Sequence, residues 1–254
     1  MSAIQYYDRI AEVLARIRST QTGRIEQAGE AMASAIASGH RVYLFGSGHS
    51  VIPVLDVFPR YGSFVGFVPL HDPRLMWFNV VGPGGARELL WLERREGYAE
   101  VFLQSYPLVA GDCMLVFSHG GMNAAPVEVA LIARNKGLTV VTVSSHANAE
   151  VTHPSHSSGK KLSDAAHVAI DNCVPPEDAL VDIGRRERVA AGSTIAAVFI
   201  AMALVAEVGA RLVSKGHAPV TFVSPNVAGV ERDHNQKVFE VYTRRLFERT
   251  PHES

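Results

Sequence analysis

Three short apolar runs, each closed by a cluster of glycines and hydroxyls, constrain this chain more than any other feature. Arg41-Val42-Tyr43-Leu44-Phe45 stops at Gly46. Residues 113–117 stop at Ser118-His119-Gly120-Gly121-Met122-Asn123, and residues 139–143 stop at Ser144-Ser145-His146. Strands that are apolar throughout are covered on both faces, the mark of a parallel sheet, whereas a strand with one wet face alternates. Helical patterns separate the runs, and alternating strand and helix defines an α/β domain. Ligands in such folds sit where the C-terminal strand ends pass into helices.

The remaining elements follow from periodicity. Residues 4–38 read as helix, with Ile4, Tyr7, Ile10, Leu14 and Ile17 recurring every three or four positions. Residues 50–61 read as a helix with Pro53 in its first turn, and residues 64–68 as a second strand. The proline- and glycine-rich residues 71–85 read as a loop. Residues 88–104 read as one helix with a charged stripe of Glu93, Arg94, Arg95 and Glu96, and residues 125–136 as a helix closed by Gly137. A short fifth strand is expected at 168–170, a long apolar helix at 193–215, and a final amphipathic helix at 233–247.

Charge and composition remove several function classes. Twenty-four basic residues against 25 acidic ones leave a formal net charge of −1, which disfavours nucleic-acid binding through bulk charge and a polybasic membrane anchor. The longest apolar run, residues 195–206, has 12 residues where a bilayer needs about 20, so no membrane span is expected. The mixed-charge N-terminus does not read as a secretory signal. Two cysteines, Cys113 and Cys173, do not make a disulfide scaffold, and a reducing cytoplasm is the expected location. His146, His153 and His156 match no standard ligand spacing, so no metal is expected.

The strand-end loops carry the chemistry. Gly46 and Gly48 begin a dinucleotide-type G-x-G-x-x-G, but Val51 stands at the third glycine, and there is no Gly-Lys-Ser. No cofactor is therefore expected. Together with Gly192-Ser193-Thr194 before the apolar helix, the loops describe a rim of neutral donors and helix N-termini. Such a rim suits a phosphate monoester on a polyhydroxy compound.

On Phe45-Gly46-Ser47-Gly48-His49-Ser50, on Phe117-Ser118-His119-Gly120-Gly121-Met122-Asn123 and on Gly192-Ser193-Thr194, the chain resembles the SIS (sugar isomerase) domain of phosphosugar enzymes and regulators. Gly192-Ser193-Thr194 and Val54-Leu55-Asp56 are similar to segments of N-acetylmuramic acid 6-phosphate etherases. Leu92-Glu93-Arg94-x-Glu96-Gly97, His156-Ser157-Ser158-Gly159-Lys160 and Asp233-His234-Asn235 resemble bacterial single-SIS-domain proteins. The resemblance implies one SIS domain over residues 1–254, with a helical extension at 1–38 and a C-terminal helix at 231–249. It implies a three-layer α/β/α sandwich around a five-stranded parallel sheet, a homodimer or higher homo-oligomer, and a small-molecule sugar phosphate as ligand. Carried over by position, Ser47, Gly48, Ser50, Ser118, Gly120, Gly121, Asn123, Ser193 and Thr194 would cradle that ligand. Gly120 and Asn123 stand where the family usually has hydroxyl residues, and Pro59 stands where the etherase has a glutamate.

Enzymes of this kind begin by removing the proton beside the aldehyde of an open-chain sugar, which needs a carboxylate base. Glu88, Glu93, Glu96, Glu100 and Glu128 are candidates. Glu93 matches the second etherase glutamate by position, with Glu96 close behind and three apart on one expected helix face. His49 in the first glycine loop and His234 at the start of the last helix are the candidate acid/base groups for ring opening, His234 by reaching a partner subunit's site. Lys160 is a candidate cation for the phosphate. The expected activity is a lyase or dehydratase acting on an N-acetylamino-sugar 6-phosphate. Aldose–ketose isomerisation and non-catalytic sugar-phosphate sensing are the alternatives.

Overall fold

The computed structural model describes residues 1–247. Residues 248–249 of the expected C-terminal helix lie outside the described residues. Five strands form a parallel sheet in the order β2-β1-β3-β4-β5: β1 (Val42–Gly46), β2 (Phe67–Pro69), β3 (Cys113–Phe117), β4 (Thr139–Ser144) and β5 (Val168–Asp171). Side chains alternate across the sheet with the strand's period of two. Val42, Leu44, Leu115, Phe117, Val141 and Ile170 enter one core, and Tyr43, Phe45, Met114, Val116 and Val140 the other.

The first core lies under α1 (Ser2–Ala37), α2 (Val51–Val57) and α7 (Ser193–Ser214); the second lies under α3 (Ala86–Leu92), α4 (Tyr98–Leu103) and α5 (Ala124–Asn135). This is the three-layer α/β/α sandwich. α1 is one unbroken helix of 36 residues, and it buries Ile17, Ala28, Met32 and Ile36 against α7 and the sheet. By length and composition α7 is apolar enough to cross a membrane, yet Ala196, Ile200, Leu204 and Val208 are wholly buried in the first core. α8 (His234–Phe247) packs Val238 into the same core.

Several elements differ from the sequence expectation. Residues 88–104 are two helices, because Gly97 takes a left-handed φ of 84° between α3 and α4. The helix expected at 50–61 ends at Val57, just before Phe58 and Pro59. In the expected second strand, Phe64 bridges Thr221 and pairing with β1 begins only at Phe67. A short helix, α6 (His146–Val151), follows β4, and a two-stranded hairpin of β6 (Ala179–Val181) and β7 (Val189–Ala191) precedes α7.

Met32 stands fully buried between α1 and the sheet. Met32→Ala is expected to lower stability by about 2–5 kcal/mol, measured by urea unfolding, while leaving the strand-end loops intact.

Candidate active site

The strand order reverses direction between β1 and β3, so the chains leaving these strands diverge and open a crevice at their C-terminal ends. On the β1 side, Gly46 lets the chain fold back tightly: a Cβ there would lie 2.1 Å from the Ser50 carbonyl oxygen. Ser47 follows in extended conformation, and Gly48–Ser50 form a single 3-10 turn into α2. On the β3 side, residues 118–123 lead into α5.

Glu93 joins the two loops. It is the C-cap that follows Leu92 at the end of α3, and its backbone carbonyl accepts from the Ala125 N–H at the start of α5 (2.9 Å). Ser47 Oγ donates to its Oε2 (2.8 Å), and Asn123 Nδ2 donates to its Oε1 (2.8 Å). The residue is 6% exposed. Burial pushes the Glu93 carboxyl above its ordinary value, against the opposing pull of the Ser47 hydroxyl and the Arg94 charge. A carboxyl raised by desolvation and held at a strand-end crevice fits a general base.

Glu96 does not share a helix face with Glu93, because the helix breaks between α3 and α4. It is exposed, and its carboxylate accepts from the Ser157 N–H (2.7 Å) and the Ser157 hydroxyl (2.5 Å). The Ser157 side chain, then its backbone N–H, draw the Glu96 carboxyl below its ordinary value. Glu128 accepts from the N–H groups of Gly97 and Ala99, and His156 Nε2 lies 3.8 Å from Glu96 and 3.6 Å from Glu128. These three groups come within 4.8 Å of one another and clasp the turn at Gly97 to the loop before β5. His146 and His153 are not part of this group.

Beside the Glu93 bridge is a narrow pocket. His49 and Ser50 from the β1 loop, Ser118 and His119 from the β3 loop, Asn172 after β5, and Ser193 and Thr194 of α7 line it. Glu93 is not among its walls. The His49 ring packs at 4.4 Å on Trp77 from the 71–85 loop. Ser118 Oγ accepts from the Gly121 N–H (3.2 Å), the Gly120 carbonyl takes the Asn148 amide (2.8 Å), and the backbone turns at Gly48 and Gly121 with positive φ. The Ser193 hydroxyl is engaged elsewhere. It donates to Asp178 Oδ2 (2.8 Å), and the N–H groups of Gly192 and Ser193 donate to Asp178 Oδ1.

The structure thus brings together Ser47, Asn123 and Glu93, and, around the pocket, His49, Ser50, Ser118, Ser193 and Thr194. Besides Glu96, two further candidates stay apart. His234 Nε2 lies 2.8 Å from the Thr221 carbonyl at the start of α8 and joins none of these groups. Lys160 is exposed, with its backbone N–H on Ser158 Oγ. Sequence reasoning missed His119 and Asn172 as pocket residues, and Asp178 as the cap of α7. His119 stood inside a quoted motif, but only the fold brings Asn172 to it across 53 residues. A larger groove of about 450 Å³ between α1 and the β6–β7 hairpin contains none of the candidate residues.

A parallel sheet with glycine and hydroxyl loops at its switch point defines an α/β protein of the class that takes ligands at its strand ends. The SIS domain family matches residues 5–145, more than half of the chain, and the chain belongs to that family. It is 33% identical to UPF0309 protein TTE0306 of Caldanaerobacter subterraneus subsp. tengcongensis over 245 residues, covering 95% of this chain and 97% of that protein. It is 34% identical to UPF0309 protein SCO4393 of Streptomyces coelicolor, covering 96% of each. The fold is similar to that of phosphoheptose isomerase GmhA from Neisseria gonorrhoeae (TM-score 0.52, 14% identity, covering 82% of this chain and 97% of that one). It is similar again to a phosphoheptose isomerase from Francisella tularensis (TM-score 0.50, 14% identity, covering 82% and 98%).

A folded-state carboxyl raised by burial opposes stability as pH rises from the unfolded pKa through the folded one, since the folded chain then loses its preferred proton. Glu93→Gln keeps the shape and both hydrogen-bonding partners without the charge. Its melting temperature at neutral pH is expected to equal or exceed that of the wild type, and the difference is expected to vanish in acid. Calorimetry across pH measures both.

Proposed function

We propose that this SIS-domain chain, one functional unit over residues 1–254, is an enzyme acting on a sugar phosphate, with Glu93 as the base that removes the C2 proton of the open-chain sugar. The observation that carries this reading is the Glu93 carboxylate, buried at the switch point and hydrogen-bonded by two neutral side chains. When substrate widens the pocket, one of those hydrogen bonds gives way and the freed oxygen faces C2. Ser50, Ser118, Thr194 and the backbone around Gly48, Gly120 and Gly121 supply neutral donors for the phosphate. His49, packed on Trp77 at the pocket mouth, serves ring opening.

The C–H electron pair forms the C1–C2 double bond as the carbonyl π pair moves onto the C1 oxygen. Return of that pair re-forms the carbonyl, moves the double bond to C2–C3 and expels the C3 substituent with its bonding electrons, which gives an unsaturated sugar by elimination. The Gly192-Ser193-Thr194 similarity and a 2-acetamido group both favour this outcome, so a lyase or dehydratase of an N-acetylamino-sugar 6-phosphate is the leading reading. Reprotonation at C1 instead gives a ketose. Pro59, at the position of the etherase's other glutamate, favours this isomerase reading.

A second copy of the chain is proposed to cover the outer face of α2 and α7, where Ile52, Leu55, Ile195 and Phe199 are exposed. Phe199→Asp is expected to convert a dimer into a monomer in light scattering.

Proton NMR of the protein with N-acetylglucosamine 6-phosphate in deuterated water tests the reaction. Loss of the C2 proton signal with a new vinylic resonance is the expected result. Exchange without elimination selects the isomerase, and a bound sugar phosphate with no exchange selects the sensor. Glu93→Gln is expected to slow exchange by about 10²–10⁴-fold, and Glu96→Gln to leave it within about twofold of wild type, as expected of a group outside the proton transfer. Because the Glu93 carboxyl lies above its ordinary value, the rate is expected to fall on the acid side at a pH above the usual carboxylate range.

A further inference from the structure

The pocket holds one side chain whose protonation pattern can be read from its neighbours. Asn172 follows β5 and is 2% exposed. Its Oδ1 accepts from the Val174 backbone N–H (3.0 Å), and a backbone N–H can only donate, so the orientation of the amide is set. The amide nitrogen therefore faces His119 Nδ1, at 3.2 Å. An amide NH₂ has no acceptor capacity, so Nδ1 must be the accepting nitrogen of the ring. The ring proton then sits on Nε2. That atom is buried and has no hydrogen-bond partner among the described residues.

Both residues are pinned through their backbones to the end of β4. The Asn172 N–H donates to the Ser144 carbonyl, and the His119 carbonyl accepts from the Ser145 N–H, each at 2.9 Å. The ring forms part of the pocket wall beside Ser118, His49 and Thr194. A buried N–H without an acceptor is costly and rare, and an incoming ligand supplies the acceptor most directly.

We propose that His119 is a catalytic residue of this site: a neutral imidazole, locked by Asn172 with its proton on Nε2, that donates a hydrogen bond to the C1 oxygen of the sugar phosphate. The assignment rests on the sugar-phosphate reading above. A cationic ring would place Nδ1–H against the Asn172 NH₂, two donors facing each other, so the lock disfavours the imidazolium that a phosphate would prefer. A neutral donor suits an oxygen that gains charge only as the reaction proceeds. As Glu93 takes the C2 proton, the C–H electron pair forms the C1–C2 double bond and the carbonyl π pair moves onto the C1 oxygen. His119 stabilises that oxygen and keeps its own proton. Asn172 is the positioning residue.

Nitrogen-15 NMR of the full chain, with His119 assigned by comparison with His119→Gln and recorded at mildly alkaline pH, reads the tautomer without substrate. The expected wild-type spectrum is the neutral Nε2–H form. Asn172→Asp puts an acceptor against Nδ1, and is expected to move the proton there. With N-acetylglucosamine 6-phosphate, the Nε2 resonance is expected to shift on binding, and His119→Gln to slow C2 exchange by about 10²–10³-fold with sugar-phosphate affinity retained. A wild-type spectrum showing Nδ1–H or the imidazolium overturns the lock. Exchange at the wild-type rate in His119→Gln overturns the catalytic role while the Glu93 reaction stands. If the wild type exchanges the C2 proton of no sugar phosphate, the sugar-phosphate reading falls and the catalytic role with it, and the spectrum still decides the tautomer.

Discussion

A buried carboxylate bridging two loops is the interaction on which the candidate site depends. Ser47 belongs to the turn after β1 and Asn123 to the turn after β3, and the sheet sends these turns apart. Glu93 draws them together through one hydrogen bond to each side chain, while its own backbone docks on the start of α5. Burial of the carboxylate is opposed in part by the Ser47 hydroxyl and the Arg94 charge, and the residual penalty raises its proton affinity. The feature that closes the crevice is thus the one that makes the group basic. In the reaction proposed above, structural and chemical roles coincide in this one side chain, and a substrate would break a structural hydrogen bond to use it.

The layers around the sheet explain how such a penalty is tolerated. Each strand contributes alternate side chains to two separate cores, and α1 packs along α7 from Tyr6 near Ala191 to Glu30 near Arg211 and Lys215. Among the described residues, the strand-end loops carry two of the buried polar side-chain atoms that lack a hydrogen-bond partner. His119 Nε2 and His146 Nε2 are both buried, unpaired atoms close to the ends of β3 and β4.

Much of the architecture was legible because it is written in local patterns. Apolar runs such as residues 113–117 have no other good use than a doubly covered strand, and the 3.6-residue period of α1 is unambiguous. What sequence could not show is how the chain breaks between neighbouring residues. Residues 88–104 carry a helical pattern throughout, yet α3 stops at Leu92 and Gly97, with a left-handed φ, caps the start of α4. Glu93 and Glu96, expected on one face, consequently serve different places, one in the crevice and one on a surface loop. The partnership of His119 with Asn172 was illegible for a different reason: it depends on the hydrogen-bond direction of a backbone group at Val174, which no spacing encodes. The short hairpin before α7 was missed because β7 is exposed and its alanines carry no strand signal.

Asp178 has a consequence for selectivity. Its carboxylate already occupies the N-terminus of α7, receiving two backbone N–H groups and the Ser193 hydroxyl, from a residue held at a φ of 62°. The end of the longest apolar helix is therefore self-ligated, and an approaching anion meets a competitor of its own sign there. Discrimination among ligands at this pocket then falls to the direction of individual hydroxyl and amide donors, so the stereochemistry of a ligand counts for more than its total charge.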